Sequence, residues 1–250
     1  MAFKKAERKQ SKLRLALAGP SGSGKTLSAL RIAKGMAEVL GCRIGVIDTE
    51  KESSSLYSGI VKGQLMPENW KVDFEILPFN PPFPPKKYVQ GIKVAEEEGI
   101  GILIIDSASH AWAGEGGLLE MVDAFTAASN SKNAFSEGWK KATPEQNKLI
   151  AAILQSTMHI IITIRSKVTY EVQKGNDGKT RPVKIGLAPV QRGDLDYEFT
   201  SWLDLSVENH MAIAGKDRTN LFDGTPRVLT EATGVELIEW LNEGVENVAT

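Results

Sequence analysis

The run Gly19-Pro20-Ser21-Gly22-Ser23-Gly24-Lys25-Thr26 constrains this chain more than any other feature. Before it lies the short apolar stretch Leu13 to Ala18, which reads as a buried strand. After it, Leu27, Leu30, Ile32, Ala33, Met36 and Val39 recur at helical spacing over residues 26–39, with Gly41 as a stop. Strand, glycine loop and amphipathic helix in that order satisfy G-x-x-x-x-G-K-[ST] in full. Glycines let the backbone curl until several N–H groups point at one anion, and the helix N-terminus adds its positive dipole end. Gly19, Pro20, Ser21, Gly22, Ser23, Gly24, Lys25 and Thr26 are thus the expected nucleotide-binding residues, with ATP and Mg²⁺ as ligands. Lys25 reaches the β- and γ-phosphates in this reading, and Thr26 offers its hydroxyl to the metal.

The rest of the chain alternates between strand and helix for two thirds of its length. Arg43 to Ile47 reads as a strand ending in Asp48-Thr49-Glu50, and Val72 to Leu77 as another. Pro78 to Pro85 holds five prolines and is expected to be a rigid surface loop. A helix over Lys86 to Glu98 leads to Ile100 to Ile105, an apolar run expected of a strand covered on both faces. Leu118 to Ala128 reads as helix and residues 129–141 as a polar, mobile connection. Thr143-Pro144-Glu145-Gln146 has the form of a capped helix start, with the helix running to Thr157. His159 to Ile164 reads as a central strand. Lys167 to Gln173 and Arg181 to Leu187 flank Asn176-Asp177-Gly178 as a β-hairpin. Trp202 to Val207 and Met211 to Ala214 are further strands, and Val235 to Leu241 a terminal helix. The expected fold class is α/β: a mainly parallel central sheet, flanking helices and an antiparallel C-terminal extension. Residues 1–12 form a basic N-terminal segment and 13–250 a single domain.

The metal-side carboxylate should close a neighbouring strand, and Asp106 after Ile102-Leu103-Ile104-Ile105 is the strong candidate. Many P-loop helicases place a glutamate next as the base that activates water. Here the next residue is Ser107, so the base must come from elsewhere. Glu50 ends the second strand, and in a parallel sheet all strand C-termini lie on the ligand side.

Charge is uneven although the net formal charge is -1. Residues 1–14 carry six cations against one anion, and residues 165–193 seven against two, a net of +5 in each stretch. Two basic stretches on a near-neutral protein suit an anionic partner such as nucleic acid. Cys42 stands alone, which excludes an intrachain disulfide and a cysteine metal cluster, and it reads as a small buried hydrophobe. The sequence has no apolar run of membrane-spanning length and no cleavage-like signal, so no membrane partner and a cytoplasmic location are expected. His110, His159 and His210 lack metal spacing and read as structural, and Trp112 and Trp139 suit either packing or a partner contact.

The phosphate loop, the glutamate after the second strand, Ile104-Ile105-Asp106-Ser107 and Ile164-Arg165-Ser166-Lys167 together resemble the RecA-like recombinase ATPase core over roughly residues 13–220. The tract Pro189-Val190-Gln191-Arg192-Gly193-Asp194-Leu195-Asp196-Tyr197-Glu198-Phe199 is similar to one in small phage-encoded RecA-like ATPases linked to recombination and single-strand annealing. The resemblance implies hydrolysis of ATP stimulated by single-stranded DNA. It implies a homo-oligomer, ring or filament, a single-strand-binding protein as partner, and the host cytoplasm if the chain is phage-encoded. It places DNA on Lys167, Tyr170, Lys174, Lys179, Arg181 and Lys184. It makes Lys216 or Arg218 the group that reaches a neighbouring subunit's γ-phosphate. Two departures stand out: Thr163 takes the place of the recombinase's γ-phosphate-sensing glutamine, and separate end domains are missing.

Two other classes stay open at this point. A P-loop kinase for a small molecule shares the Gly19-x-x-Gly22-x-Gly24-Lys25 spacing and could use Asp48 to bind an acceptor hydroxyl. A nucleotide-gated binding module with little turnover would need the phosphate loop but no base.

Overall fold

The computed structural model describes residues 5, 10–60, 70–174 and 180–244, and of 60, 169–174 and 180–185 the backbone alone. The chain opens with β1 (Arg14–Gly19), α1 (Lys25–Leu40) and β2 (Arg43–Asp48), then a 3-10 turn over Ser53–Tyr57. A two-stranded ribbon of β3 (Gly59–Ile60) and β4 (Lys71–Val72) precedes β5 (Glu75–Pro78), α2 (Pro85–Glu97) and β6 (Ile100–Asp106). Three helices follow, α3 (Ser109–Ala113), α4 (Leu118–Ala127) and α5 (Ala134–Gln155). The last part holds β7 (His159–Lys174), β8 (Thr180–Pro189), a 3-10 turn over Leu195–Glu198, β9 (Ser201–Leu205), β10 (Met211–Asp217), β11 (Arg227–Val228) and α6 (Glu231–Asn242).

The main sheet runs β11-β10-β9-β1-β7-β6-β2-β5, with β8 paired to β7. From β9 to β5 every neighbour is parallel, and β10, β11 and β8 add antiparallel edges. This is the fold class read from the sequence. Every residue of β1 is buried, as a strand covered on both faces requires. On one face Leu13, Leu15 and Leu17 pack with α1 and α6 through Ile32, Met36, Leu237 and Ile238. On the other, Ala16, Ala18, Ile160 and Ile162 pack with α2 and α5 through Tyr88, Ile92, Leu149 and Ile153.

Three local expectations are corrected. First, one helix spans Ala134–Gln155, where a mobile connection and a new start at Thr143 were expected. Gly138, Ala142, Gln146, Leu149 and Ile153 fall on one buried stripe across the supposed boundary. Gly138 lets α4 approach closely, since a Cβ there would lie 2.7 Å from the Val122 carbonyl oxygen. Packing of that stripe outweighs Pro144, which sits inside the helix and removes one backbone bond at a cost of about 3 kcal/mol. Second, the expected strand Val72 to Leu77 is split, its first part pairing with β3 and its second with β2. Third, Cys42 is partly exposed rather than buried.

Arg14 also departs from the picture of a solvated basic segment. It is buried in β1, and its guanidinium donates to the carbonyls of Leu13 (2.8 Å), Met158 (2.7 Å), Leu154 (3.1 Å) and Ser156 (2.5 Å). It thus satisfies carbonyls at the C-terminal end of α5 that have no helical partner. Desolvation pulls its pKa down to about 10, opposed by Glu96.

Candidate functional site

The glycine loop joins the C-terminal end of β1 to the start of α1. Gly22 and Gly24 have φ of +80° and +85°, which L side chains rarely adopt. Gly19 is needed for closeness: a Cβ there would lie 2.9 Å from the Leu205 carbonyl oxygen. Gly24 is the N-cap of α1 and supplies no side-chain bond to the first turn. The first amides of α1 therefore have no capping side chain, the condition in which a helix N-terminus is open to an anion. Lys25 folds back so that Nζ donates to the Pro20 carbonyl at 2.8 Å. Burial lowers its pKa, opposed by Asp106 and Glu50.

A cleft of about 460 Å³ opens over this loop. Ser21, Gly22, Gly24, Lys25, Thr26, Glu50, Asp106 and Arg165 are among its lining residues, so the structure brings together the expected phosphate, metal and base residues. Thr26 Oγ1 donates to Asp106 Oδ2 at 2.6 Å, and Thr163 Oγ1 donates to the other oxygen. Burial raises the Asp106 pKa, opposed by these two hydroxyls. Thr26 and Asp106 form an all-oxygen set with a single carboxylate. That suits Mg²⁺, which takes one or two carboxylates and fills its octahedron with water and substrate phosphate. No group of three or more His, Cys, Asp or Glu that could hold a metal exists among the described residues.

The strand ends are stitched so that Glu50 meets the loop. Asp48 and Asp106 are register partners, and the Thr49 N–H donates to the Asp106 carbonyl at 2.7 Å. The Ser107 N–H donates to Thr49 Oγ1 at 2.8 Å. Buried Asp48 accepts the N–H groups of Glu50 (2.7 Å), Glu52 (3.1 Å) and Ser54 (3.0 Å), and the Ser54 hydroxyl. It shapes the turn that carries Glu50, with its oxygens engaged inward. Glu50 is gripped in turn by Arg165, whose Nε donates to Oε1 at 2.8 Å and whose Nη2 donates to Oε2. Arg165 is the residue that sequence reasoning missed. The signal was present: like Asp106, it follows an apolar strand, Ile160 to Ile164, at the ligand-side edge of the sheet.

Lys216 and Arg218 come together but not at their own chain's loop. Lys216 Nζ donates to the carbonyls of Asp196 (2.8 Å) and Tyr197 (2.5 Å), and Arg218 Nη2 to that of Tyr197 (3.0 Å). The Pro189 to Phe199 tract is largely architectural at its ends: Leu195 and Phe199 are buried, and Gln191 bonds Gln146 and the Ala108 carbonyl. Of the expected DNA residues, Lys167 is exposed at the root of the β7–β8 arm. Tyr170 is opposite Lys184 in register and Gln173 opposite Arg181, with Lys174 opposite Thr180. Lys179 lies outside the described residues. Of the histidines, His159 accepts the Leu13 N–H, His110 stacks on Phe83 at 4.9 Å and bonds Thr49 Oγ1 at 2.6 Å, and His210 lies against Gly24. Trp112 and Trp139 pack on each other, ring centroids 5.9 Å apart.

A largely parallel sheet with a glycine loop at the end of its central strand β1, and carboxylates at the ends of β6 and β2 on the same edge, defines a P-loop nucleoside triphosphatase fold. Residues 11–232 match the family model described as AAA domain, and the chain belongs to that family. Among solved structures it is similar to a KaiC-like protein from the hyperthermophilic archaeon Pyrococcus horikoshii OT3, at 16% identity over 86% of this chain and 81% of that one, TM-score 0.42. It is also similar to the RadB recombinase, at 15% identity over 82% of this chain and 81% of that one, TM-score 0.41. No match is found among curated proteins. No described helix is long and apolar enough to cross a membrane.

Proposed function

We propose that this protein binds Mg-ATP and hydrolyses it as a homo-oligomer acting on single-stranded DNA, in recombination or annealing. The observation that carries the reading is the convergence of Lys25, Thr26, Asp106 and Glu50 on one cleft at the C-terminal edge of the sheet. In this reading Gly19 to Thr26 cradle the phosphates, and Lys25 offsets charge on the β- and γ-groups. Thr26 and Asp106 hold Mg²⁺, which neutralises charge developing on the phosphate oxygens. Glu50 orients water for in-line attack on the γ-phosphorus and takes its proton as the bond to the ADP oxygen breaks. Lys216 or Arg218 completes the site from the next subunit. The β7–β8 arm, continuous with a central strand that borders the cleft, carries Lys167, Tyr170, Lys174, Lys179, Arg181 and Lys184 to the DNA. A single-strand-binding protein is the partner that would deliver such a strand. Residues 13–250 act as one ATPase unit, with the basic segment before them as a second anion contact.

Asp48 weighs against a small-molecule kinase, because its carboxylate is buried and already holds the Glu50 turn. Phosphate release from Mg-ATP, measured with and without single-stranded DNA and with no other acceptor, tests the proposal. Turnover raised by DNA supports it. Phosphate transfer only to an added acceptor, or tight ATP binding without turnover in either condition, overturns it.

A further inference from the structure

Arg165 has no role in the scheme above, yet its side chain holds the one carboxylate the scheme needs free. Three observations bear on what it does. Its backbone is fixed on both sides: the N–H donates to Ser109 Oγ at 2.9 Å, and the carbonyl accepts the Val190 N–H at 2.7 Å. It is the register partner of Gly19, the first residue of the glycine loop, and it lines the same cleft as Lys25. Finally, the hydroxyl of Thr163, two residues earlier, is committed to Asp106 and is buried there. Thr163 is thus engaged with Asp106 in this structure, and the next side chain along β7 that carries a charge is that of Arg165.

We propose that Arg165 is a γ-phosphate ligand acting within its own chain, and that a bound nucleoside triphosphate takes it from Glu50. The proposal rests on the nucleotide reading above. The guanidinium fork matches a phosphate as well as it matches a carboxylate, and a phosphate offers more charge. The Glu50 pair is weak enough to exchange: the Arg165 side chain is 47% exposed, and ion pairs open to solvent contribute little. With the backbone fixed, the exchange is a side-chain rotation. A diphosphate lacks the γ-group, so Arg165 stays on Glu50 and both carboxylate oxygens remain engaged. A triphosphate draws Arg165 away and leaves the Glu50 oxygens to face water. The exchange thus ties release of the base to the presence of the bond to be broken.

The test is calorimetric binding of Mg-ADP and of a Mg-bound non-hydrolysable ATP analogue to wild type, Arg165→Ala, Arg165→Lys, Glu50→Gln and the Arg165→Ala/Glu50→Gln double variant, each checked by thermal melting. Arg165→Ala is expected to weaken the analogue by about tenfold or more while ADP changes by less than about twofold. Arg165→Lys should recover part of the loss. Glu50→Gln removes the competitor for Arg165, so it should tighten the analogue and not ADP, and it should have no such effect in the Arg165→Ala background. Equal effects on both nucleotides, or an analogue-to-ADP ratio that neither Arg165→Ala nor Glu50→Gln moves, would overturn the exchange while leaving the nucleotide site standing. If Arg165→Ala does not fold, Arg165→Lys and Glu50→Gln decide by the same ratio. Wild type that binds neither nucleotide would bring down the nucleotide reading and this proposal with it.

Discussion

Gly35 and Gly234 meet where α1 crosses α6. A Cβ on Gly35 would come 1.9 Å from the Glu231 carbonyl oxygen, and one on Gly234 would come 2.2 Å from that of Ile32. The helices touch backbone to backbone. The same crossing carries the Arg31–Glu231 pair, with bonds of 2.9 and 2.8 Å, and the Trp70 indole bond to Glu231 at 2.5 Å. It fixes the helix whose first residues are Lys25 and Thr26, so the far C-terminal helix sets the platform of the phosphate loop.

Gly35→Ala is therefore expected to force α1 and α6 apart and cost about 2–3 kcal/mol, the scale of overpacking a tight contact. Urea unfolding of the variant beside wild type measures this. Unchanged stability would mean that the crossing yields without penalty.

His159 gives a pH signature. It is buried, and its Nδ1 accepts the Leu13 N–H at 3.1 Å, so the folded ring is neutral. Burial, with help from Lys12 and Arg14, lowers its pKa to about 3. An unfolded histidine takes up its proton near pH 6.5, so below that the unfolded state binds more protons and stability falls as pH falls, until the folded pKa is reached. Between pH 7 and 5 this one residue should cost wild type about 2 kcal/mol. His159→Gln, which keeps an acceptor for Leu13, should lack that part of the decline. Parallel declines in the two proteins by denaturant titration at both pH values would refute the assignment.

Glu50→Gln should keep ATP binding and lower turnover by about a hundredfold or more. Arg218→Ala should also lose turnover, through the subunit interface rather than the chain's own cleft. Mixed oligomers of the two variants should then recover activity, since some interfaces pair an intact Glu50 with an intact Arg218. Absence of recovery in demonstrably mixed oligomers would place Arg218 with the Tyr197 carbonyl it holds here, as a structural residue.

For the arm, each phosphate contact on single strands should contribute about 0.7 to the slope of log affinity against log salt. Neutralising Lys179, Arg181 and Lys184 together should lower that slope by about two and spare ATP binding. An unchanged slope would move the DNA to the basic residues before Leu13.

The sheet and the glycine loop at the end of β1 were legible because burial on both faces writes itself as unbroken apolar runs, and because a strand–glycine-loop–helix turn has few sequence solutions. Arg14 and α5 were not legible for the opposite reason. A charge adjoining a basic segment reads as solvated unless the four carbonyls that receive it are known, and three of those lie 140 to 144 residues away in sequence. The start of α5 hides behind Thr143-Pro144, a local cap signal overruled by contacts with α4 that no local pattern contains. Arg165 was overlooked although its position was readable, because a cation at a strand end beside a basic hairpin was grouped with the hairpin. Its partner Glu50, 115 residues earlier, is visible only in three dimensions.

In mechanical terms β7 is a cantilever. It is one strand of 16 residues, about 50 Å long at the usual rise, with no break between the sheet centre and the arm. Its inner part is clamped by β1 on one side and β6 on the other, and among the described strands its outer part pairs only with β8. A load on the outer half arrives as torque at the last clamped position, and that position is Arg165, paired with Gly19 across the sheet. The strand therefore delivers bending to the rim of the cleft without needing a hinge.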